Sequence, residues 1–509
     1  MPNESNTAQT TRRVFLGAAA MTAASYNRIL GANDRIGMGF IGFGLIGKQH
    51  VADFKTFNDV DLVGMCDCYK PRLDEGLAYM GNPNAKGYGD FRKMYENKDI
   101  QAVVVATPDH WHALLTIMAC AAGKDVYVEK PMTLFIDEGK WMVQAANKYK
   151  RIVTAGTQRR QGAGVKAAKK VVEAGTLGKI HTVRWSAFRN IYPGFGKTPV
   201  TDPPPGYDYD MWLGPSKKTP YQAHRGLYHF RWFWDFSGGQ MTNLGAHQID
   251  QVMYCMDAKG PTLVMSEGGR YALDNDDGDT PDLQDAIWVF PGKNGAPGWT
   301  MYAAIREANA GSGGDSMRGQ LYTGTKGTMS LAGNYTISSE TKSNPVNDIP
   351  RFQGHPTGGP VYDQTPREPW LPEFAQSAAA GRGQGRGAGA PPAAGQGRGA
   401  GAQGRGAGAG VATDNRYGLT ASGVDPTMAL NERDWLDCVR SRNKPFCSVE
   451  DGHRVAVVCN LANMSLRLHR AIRWDPEKEV VIGDKEAAAA CVKPYRAPWD
   501  AALRACVKV

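Results

Sequence analysis

The sequence predicts an α/β protein: a doubly wound parallel sheet near the N-terminus, followed by an α+β domain with an open, largely antiparallel sheet. Three observations carry this. An apolar run at residues 38–41 leads into Gly42-Phe43-Gly44-Leu45-Ile46-Gly47 and then a helical pattern, which is the order strand, glycine turn, helix. Apolar runs then alternate with helical patterns as far as residue 155, as βαβ units do. From residue 179 the hydrophobic period changes to two, the period of a half-buried strand.

The elements follow in order. Gly42 permits the tight turn, Gly44 lets the backbone approach a pyrophosphate, and Gly47 lets the helix pack closely on the strand. The N–H groups at the helix start would hold the phosphates of a dinucleotide. A second apolar run, 60–66, ends in Asp67, 20 residues beyond Gly47, where a carboxylate accepts hydrogen bonds from the adenosine ribose. A carboxylate there repels a 2′-phosphate, so NAD is expected over NADP, although Lys70 and Arg72 weaken that preference. A helix at 71–80 and a turn-rich link at 81–89 lead to a continuous apolar strand, 100–106, ending in Thr107-Pro108-Asp109-His110-Trp111-His112. A helix at 113–122, a strand at 125–128, Glu129-Lys130-Pro131, and a strand at 152–156 leading to Gln158 complete the sheet. Ligands of such sheets lie across the carboxyl ends of the strands. All six residues of the glycine turn, with Asp67, Thr107, Pro108, His110, His112, Glu129, Lys130 and Gln158, are therefore expected at the cofactor. His110 and His112 have no Cys or carboxylate following at ligand spacing, so cofactor contact or helix capping is expected and no metal.

A helix at 165–174 opens the second domain, and strands are expected at 180–187, 285–290, 299–305, 319–324 and 328–331. Between them, residues 192–257 are rich in Trp, Tyr and His. If the chain turns helical from about Thr242, after Gly238-Gly239, then Asn243, His247 and Asp250 or Gln251 share one face. That polar stripe suits a site better than a core. The expected units are residues 1–34 (leader and linker), 35–155 (cofactor domain), 156–375 (substrate and oligomerisation domain), 376–411 (an insertion) and 412–509 (helices and a tail packing back).

Composition limits the function classes. The formal charge of +9 would invite a nucleic-acid partner, but four arginines lie in the 376–411 tract of Gly, Ala, Arg and Gln, which cannot bury enough apolar surface to fold. That tract also lacks interleaved aromatics to stack on bases, so no nucleic acid is expected. Arg12-Arg13 precedes a short apolar run too brief to span a bilayer, which reads as a twin-arginine address: export in the folded state to the periplasm, with no stable membrane span. An uncleaved leader, leaving the chain tethered or in the cytoplasm, is the alternative. Nine cysteines spread from Cys66 to Cys506 read as buried filler rather than a disulfide framework.

Together these residues resemble the glucose-fructose oxidoreductase/inositol dehydrogenase/MocA (Gfo/Idh/MocA) oxidoreductases, of the twin-arginine-exported kind. The resemblance rests on the glycine turn, Asp67, residues 107–112, Glu129-Lys130-Pro131, and Gly238-Gly239 through His247 and Asp250, and covers residues 35–331 with the segment near Trp474-Asp475-Pro476. It implies an N-terminal Rossmann domain, with Lys130 and His247 working at the reacting carbon. Asn243 departs from it, because the family commonly has Asp there; an amide orients a hydroxyl but takes up no proton, so acid-base work falls on His247 and Lys130.

Oxidising a sugar carbinol requires a base for the hydroxyl proton. His247, starting near ~6.5, suits that role, and Lys130, near ~10.4, suits an orienting donor or shared relay, with the roles open to exchange. Arg159, Arg160, Trp185, Tyr221, His224, Trp232 and Trp234 are candidate substrate walls beside Asn243 and His247. The expected activity is NAD-dependent hydride transfer at a ring secondary hydroxyl of a sugar, polyol or glycoside. The alternatives are a glycosidase working by transient oxidation, elimination and re-reduction, and a non-catalytic sugar or cofactor sensor. A homo-oligomer, dimer or tetramer, is expected through the open sheet.

Overall fold

The computed structural model describes residues 35–292, 297–309, 319–342, 369–371 and 426–509; the expected leader and the glycine-alanine insertion lie outside the described residues. Six strands, β1 (Ile36–Ile41), β2 (Val60–Cys66), β3 (Lys86–Tyr88), β4 (Ala102–Val105), β5 (Asp125–Val128) and β6 (Val153–Ala155), form a parallel sheet ordered β3-β2-β1-β4-β5-β6. The connecting helices are α1 (Leu45–Phe54), α2 (Lys70–Met80), α3 (Phe91–Glu96), α4 (Asp109–Ala121) and α5 (Ile136–Tyr149). The strand order reverses between β1 and β4, which opens a crevice at their carboxyl ends. Every residue of β1 and β4 is buried because helices cover both faces: α1 and α2 on one, α3, α4 and α5 on the other.

A 3₁₀ turn at Gln158–Gln161 and helix α6 (Ala163–Glu173) lead to β7 (Ile180–Phe188). The aromatic segment carries α7 (Tyr209–Leu213), a 3₁₀ turn at His229–Trp232, and two helices, α8 (Gly239–Asn243) and α9 (Gly245–Met256). Then follow β8 (Leu263–Gly269), β9 (Leu283–Phe290), β10 (Trp299–Arg306), β11 (Gln320–Gly324), β12 (Gly327–Ala332) and β13 (Asn334–Ser339). The C-terminal region supplies α10 (Pro426–Ser441), α11 (Val449–Leu468), β14 (Ile472–Asp475), β15 (Val480–Val481), α12 (Lys485–Ala489) and α13 (Trp499–Cys506). Nine strands make the second sheet, β13-β12-β11-β7-β10-β9-β8-β14-β15, with β7 and β10 parallel and the other neighbours antiparallel. Its inner face packs on α9 and the largely buried α11.

Several elements differ from the sequence expectation. The link at 81–89 holds the short edge strand β3, and α3, α5 and β8 were not expected; α5 is amphipathic, burying Trp141, Met142 and Ala145 on one face. The helix expected from Thr242 starts at Gly239 and breaks at Leu244. The C-terminal helices divide their work: α10 places Trp435 and Leu436 in the core beside α1, while α11 runs through the core of the second sheet. The tail helix α13 seats Trp499 edge-on against Trp111 of α4, ring centroids 4.9 Å apart. All nine cysteines are free thiols.

Candidate active site

The glycine turn works through backbone demands. Gly42 sits at φ 91°, where only glycine is comfortable, and donates its N–H to the Cys66 carbonyl at 2.8 Å. A Cβ on Gly47 would stand 2.1 Å from the Gly42 carbonyl oxygen, so α1 approaches β1 this closely only without a side chain. A Cβ on Gly44 would meet just the tip of Arg72, at 3.8 Å, so the space above it is open. Gly44 caps α1 with no side-chain bond, leaving the helix N–H groups aimed into the groove.

Asp67 lies at the end of β2, its Oδ2 accepting from Phe43 N–H and its Oδ1 from Tyr69 N–H, both at 2.9 Å. Burial pushes its carboxyl above the usual range. Asp67, Gly42, Gly44, Leu45, Ile46, Thr107 and Pro108 line one groove, which Met211, Trp212, Tyr228, Phe230 and Arg231 cover from the second domain. The groove fits a dinucleotide on one further count: Thr107 Oγ1, on its lining, is buried without a hydrogen-bond partner, as a donor awaiting a ligand is, whereas Gln158, in the 3₁₀ turn after β6, is not part of that lining. Gly44 would hold the pyrophosphate, Asp67 the adenosine ribose.

Beyond Arg231 stand the chemistry-bearing side chains. Lys130, on the turn after β5, donates from Nζ to Asn243 Oδ1 at 3.0 Å and to the Asn243 carbonyl at 3.1 Å; Asn243 Nδ2 in turn donates to Gln240. Burial lowers the lysine to about 8; the positive charges of Arg231 and Arg159 add to this, while Glu129 and Asp109 oppose it. His247, in the first turn of α9, is buried with Nδ1 unpartnered. Its pKa lies well below the usual value through burial and the charges of Arg159 and Lys130, so the ring is neutral at pH 7.

Several expected contacts are corrected by this geometry. Phe43 turns its ring into the core against Tyr79, so it meets the groove through backbone alone. His110 is fully buried with Nε2 at 2.8 Å from the Trp212 carbonyl, and His112 bridges the Pro131 and Thr107 carbonyls at 2.7 and 2.9 Å; both brace the groove wall rather than line it. Glu129 is also buried and turned away from the groove, its Oε2 accepting the Lys130 backbone N–H at 3.0 Å.

Among the proposed substrate walls, Arg159 stands with Lys130 and His247. Arg160 does not: its guanidinium is buried against Asp250. Trp185 is 1% exposed and stacks on Trp288 in the second core, because it shares its strand face with Val183. Tyr221 packs edge-on to Tyr207 and Tyr209, and His224 lies 3.3 Å from Asp277. Trp232 donates from Nε1 to Glu307 at 2.9 Å, and Trp234 lies under Arg467 on a separate groove with Gly238 and Asn463.

Sequence reasoning missed Arg231 and the pairing of Asp109 with Ser237, since neither sits at a motif spacing. Among the described residues no cluster of His, Cys, Asp or Glu is arranged to hold a metal ion.

Fold and groove together define a dinucleotide-binding protein. The chain belongs to the Gfo/Idh/MocA family. Residues 36–157 match the model of its NAD-binding Rossmann fold, and residues 161–272 and 420–501 match the model of its C-terminal alpha/beta domain. NAD is its cofactor. The chain is 27% identical over 262 residues to a myo-inositol 2-dehydrogenase of Thermotoga maritima, covering 51% of this chain and 66% of that protein. It is 25% identical over 316 residues to a glycosyl hydrolase family 109 protein of Shewanella pealeana, covering 55% and 66%. The matched stretches thus span just under two thirds of these relatives. In fold it is similar to the WlbA dehydrogenase of Bordetella pertussis, solved with NADH and UDP-GlcNAcA, at 18% identity and a TM-score of 0.54 over 87% of this chain and 99% of that one. A levoglucosan dehydrogenase solved with NADH and levoglucosan gives 18% and 0.54 over 86% and 99%.

Proposed function

We propose that this chain oxidises or reduces a ring secondary hydroxyl of a sugar, polyol or glycoside, with NAD held in the groove. The observation that carries the reading is the placement of Lys130, bonded to Asn243 beside a neutral His247 and within the field of Arg231, which covers the groove shaped for a dinucleotide. When bound, NAD supplies the two-electron acceptor. A lysine near 8 is partly neutral at physiological pH, so Lys130 takes the hydroxyl proton as the carbinol is oxidised and returns it in the reverse direction. This exchanges the roles that unperturbed pKa values suggest: a histidine pushed well below its usual value holds a proton poorly, so His247 orients the hydroxyl by hydrogen bonding. Asn243 fixes the amine, and Arg159 and Arg231 disfavour its protonated form.

A redox-neutral glycosidase is the second reading, supported by the similarity to the family 109 glycosyl hydrolase protein. Both use the same Lys130. Mass analysis of products from polyol and glycoside panels separates them: a keto-sugar accumulates in the first, and a freed aglycone at unchanged oxidation state in the second. The leader sequence supports export in the folded state to the periplasm, with NAD loaded beforehand and retained. Exposed Met265, Ile287 and Tyr302 on neighbouring strands support a homo-oligomer through the outer face of the second sheet, which sedimentation velocity reads directly.

A further inference from the structure

Behind the lysine, the fold buries a charged trio that no step above uses. His50 of α1 places Nδ1 2.6 Å from Glu432 Oε1 of α10 and Nε2 3.1 Å from Glu129 Oε1. The three side chains are 0%, 0% and 3% exposed. Glu129 then reaches the catalytic turn, since its other oxygen accepts the backbone N–H of Lys130. The surroundings are fitted to it: a Cβ on Gly156 would stand 2.8 Å from the Glu129 carboxylate, and the Tyr127 ring lies edge-on to His50 with its hydroxyl held by Asn431. A buried ionic network of this kind is a poor device for stability, because desolvation cancels most of the attraction. Its position, joining the phosphate-binding helix, the lysine turn and a helix some 300 residues downstream, argues for a role at the site.

We propose that His50 and Glu432 are positioning residues for Lys130, holding Glu129 so that its carboxylate fixes the lysine turn and sets the electrostatic field at the amine. The proposal rests on Lys130 being the acid-base group. The charged and titratable groups facing the lysine are Glu129 and Asp109, opposed by Arg231 and Arg159, with His247 beside them; those facing the trio are Asp53 from α1 and Tyr127 from β5.

Burial works against the His50 cation, but hydrogen bonds and charge from Glu129 and Glu432 outweigh it and raise the imidazole to about 10. Burial pushes Glu432 up to about 8 against the pull of His50. The trio therefore carries an imidazolium throughout the working range and, as a coupled unit, gains one negative charge as pH rises through the range in which Lys130 loses its proton. That charge holds the proton on the lysine longer.

Competitive acetylation of the NAD-loaded chain with trace acetic anhydride, read peptide by peptide across pH, gives the proton affinity of Lys130 without a substrate. In Glu432→Gln, where the extra negative charge cannot form, the Lys130 midpoint is expected to fall by about 0.5 pH unit. The acid limb of kcat/KM for NADH formation moves with it. In His50→Gln, where the cation that opposes Glu129 is gone, the midpoint moves the opposite way. Calorimetric melts confirm that each variant is folded. A Lys130 midpoint unmoved in folded Glu432→Gln and His50→Gln overturns the proposal and leaves the trio a scaffold. Undiminished NADH formation by Lys130→Arg refutes the reading of Lys130 and the proposal with it, a failure distinct from an unmoved labelling midpoint.

Discussion

Lys130 occupies a place that costs the fold stability. Its folded pKa of about 8 lies below the ordinary 10.5, so between these values the unfolded chain binds more protons and stability rises with pH. Below about pH 8 the lysine must be buried charged, at a cost of up to about 3 kcal/mol for a depression of this size. Lys130→Met is therefore expected to raise the melting temperature at pH 7 by a few degrees, with the gain shrinking toward pH 10; scanning calorimetry at both values checks it, and a lowered melt at pH 7 counts against the burial argument. The neighbouring Asn243 accepts a hydrogen bond from the same amine. Asn243→Asp places a carboxylate on the amine, raises the lysine, and is expected to move the acid limb of kcat/KM upward by about one pH unit, cutting the rate at pH 7 about tenfold while sparing it at high pH. An unmoved limb would show that the lysine does not titrate in the rate.

At the scale of elements, the glycine turn and Asp67 were legible because they answer to backbone demands that few residues meet: positive φ at Gly42, a missing Cβ at Gly47, a carboxylate accepting two N–H groups. The four-residue step from Asn243 to His247 was legible for a similar reason, although the helix carrying it breaks at Leu244. Side-chain destinations were harder to read. Trp185 reads as a sugar platform by type, yet its period-two parity with Val183 already placed it toward the core. Arg160 and Asp250 each look like site residues alone; in the fold they neutralise one another between the 3₁₀ turn and α9. Removing one partner strands a buried charge, so Asp250→Ala is expected to lose about 3–5 kcal/mol in denaturant titration with NAD affinity largely kept. A loss below about 1 kcal/mol would mean that the guanidinium finds water or Asp451 instead.

At the scale of the whole molecule, the C-terminal helices complete what the first half begins. Helix α10 brings Glu432 to His50, and α11 brings Asn463 Nδ2 to 2.8 Å from the Gly238 carbonyl, under the turn that starts α8. Nothing in local spacing pairs residues so far apart, so these contacts were invisible in the sequence, where the two helices showed only as amphipathic patterns. The proposed reaction passes a hydride between a carbinol carbon and NAD held against Lys130. The most direct test loads the chain with NAD, adds polyols and glycosides deuterated at their ring carbinol carbons, and weighs the cofactor. One deuterium gained by the cofactor is expected in the wild type. None is expected in Lys130→Met at equal NAD occupancy. A cofactor unlabelled across the whole panel, or labelled equally in the variant, would contradict the proposed reaction.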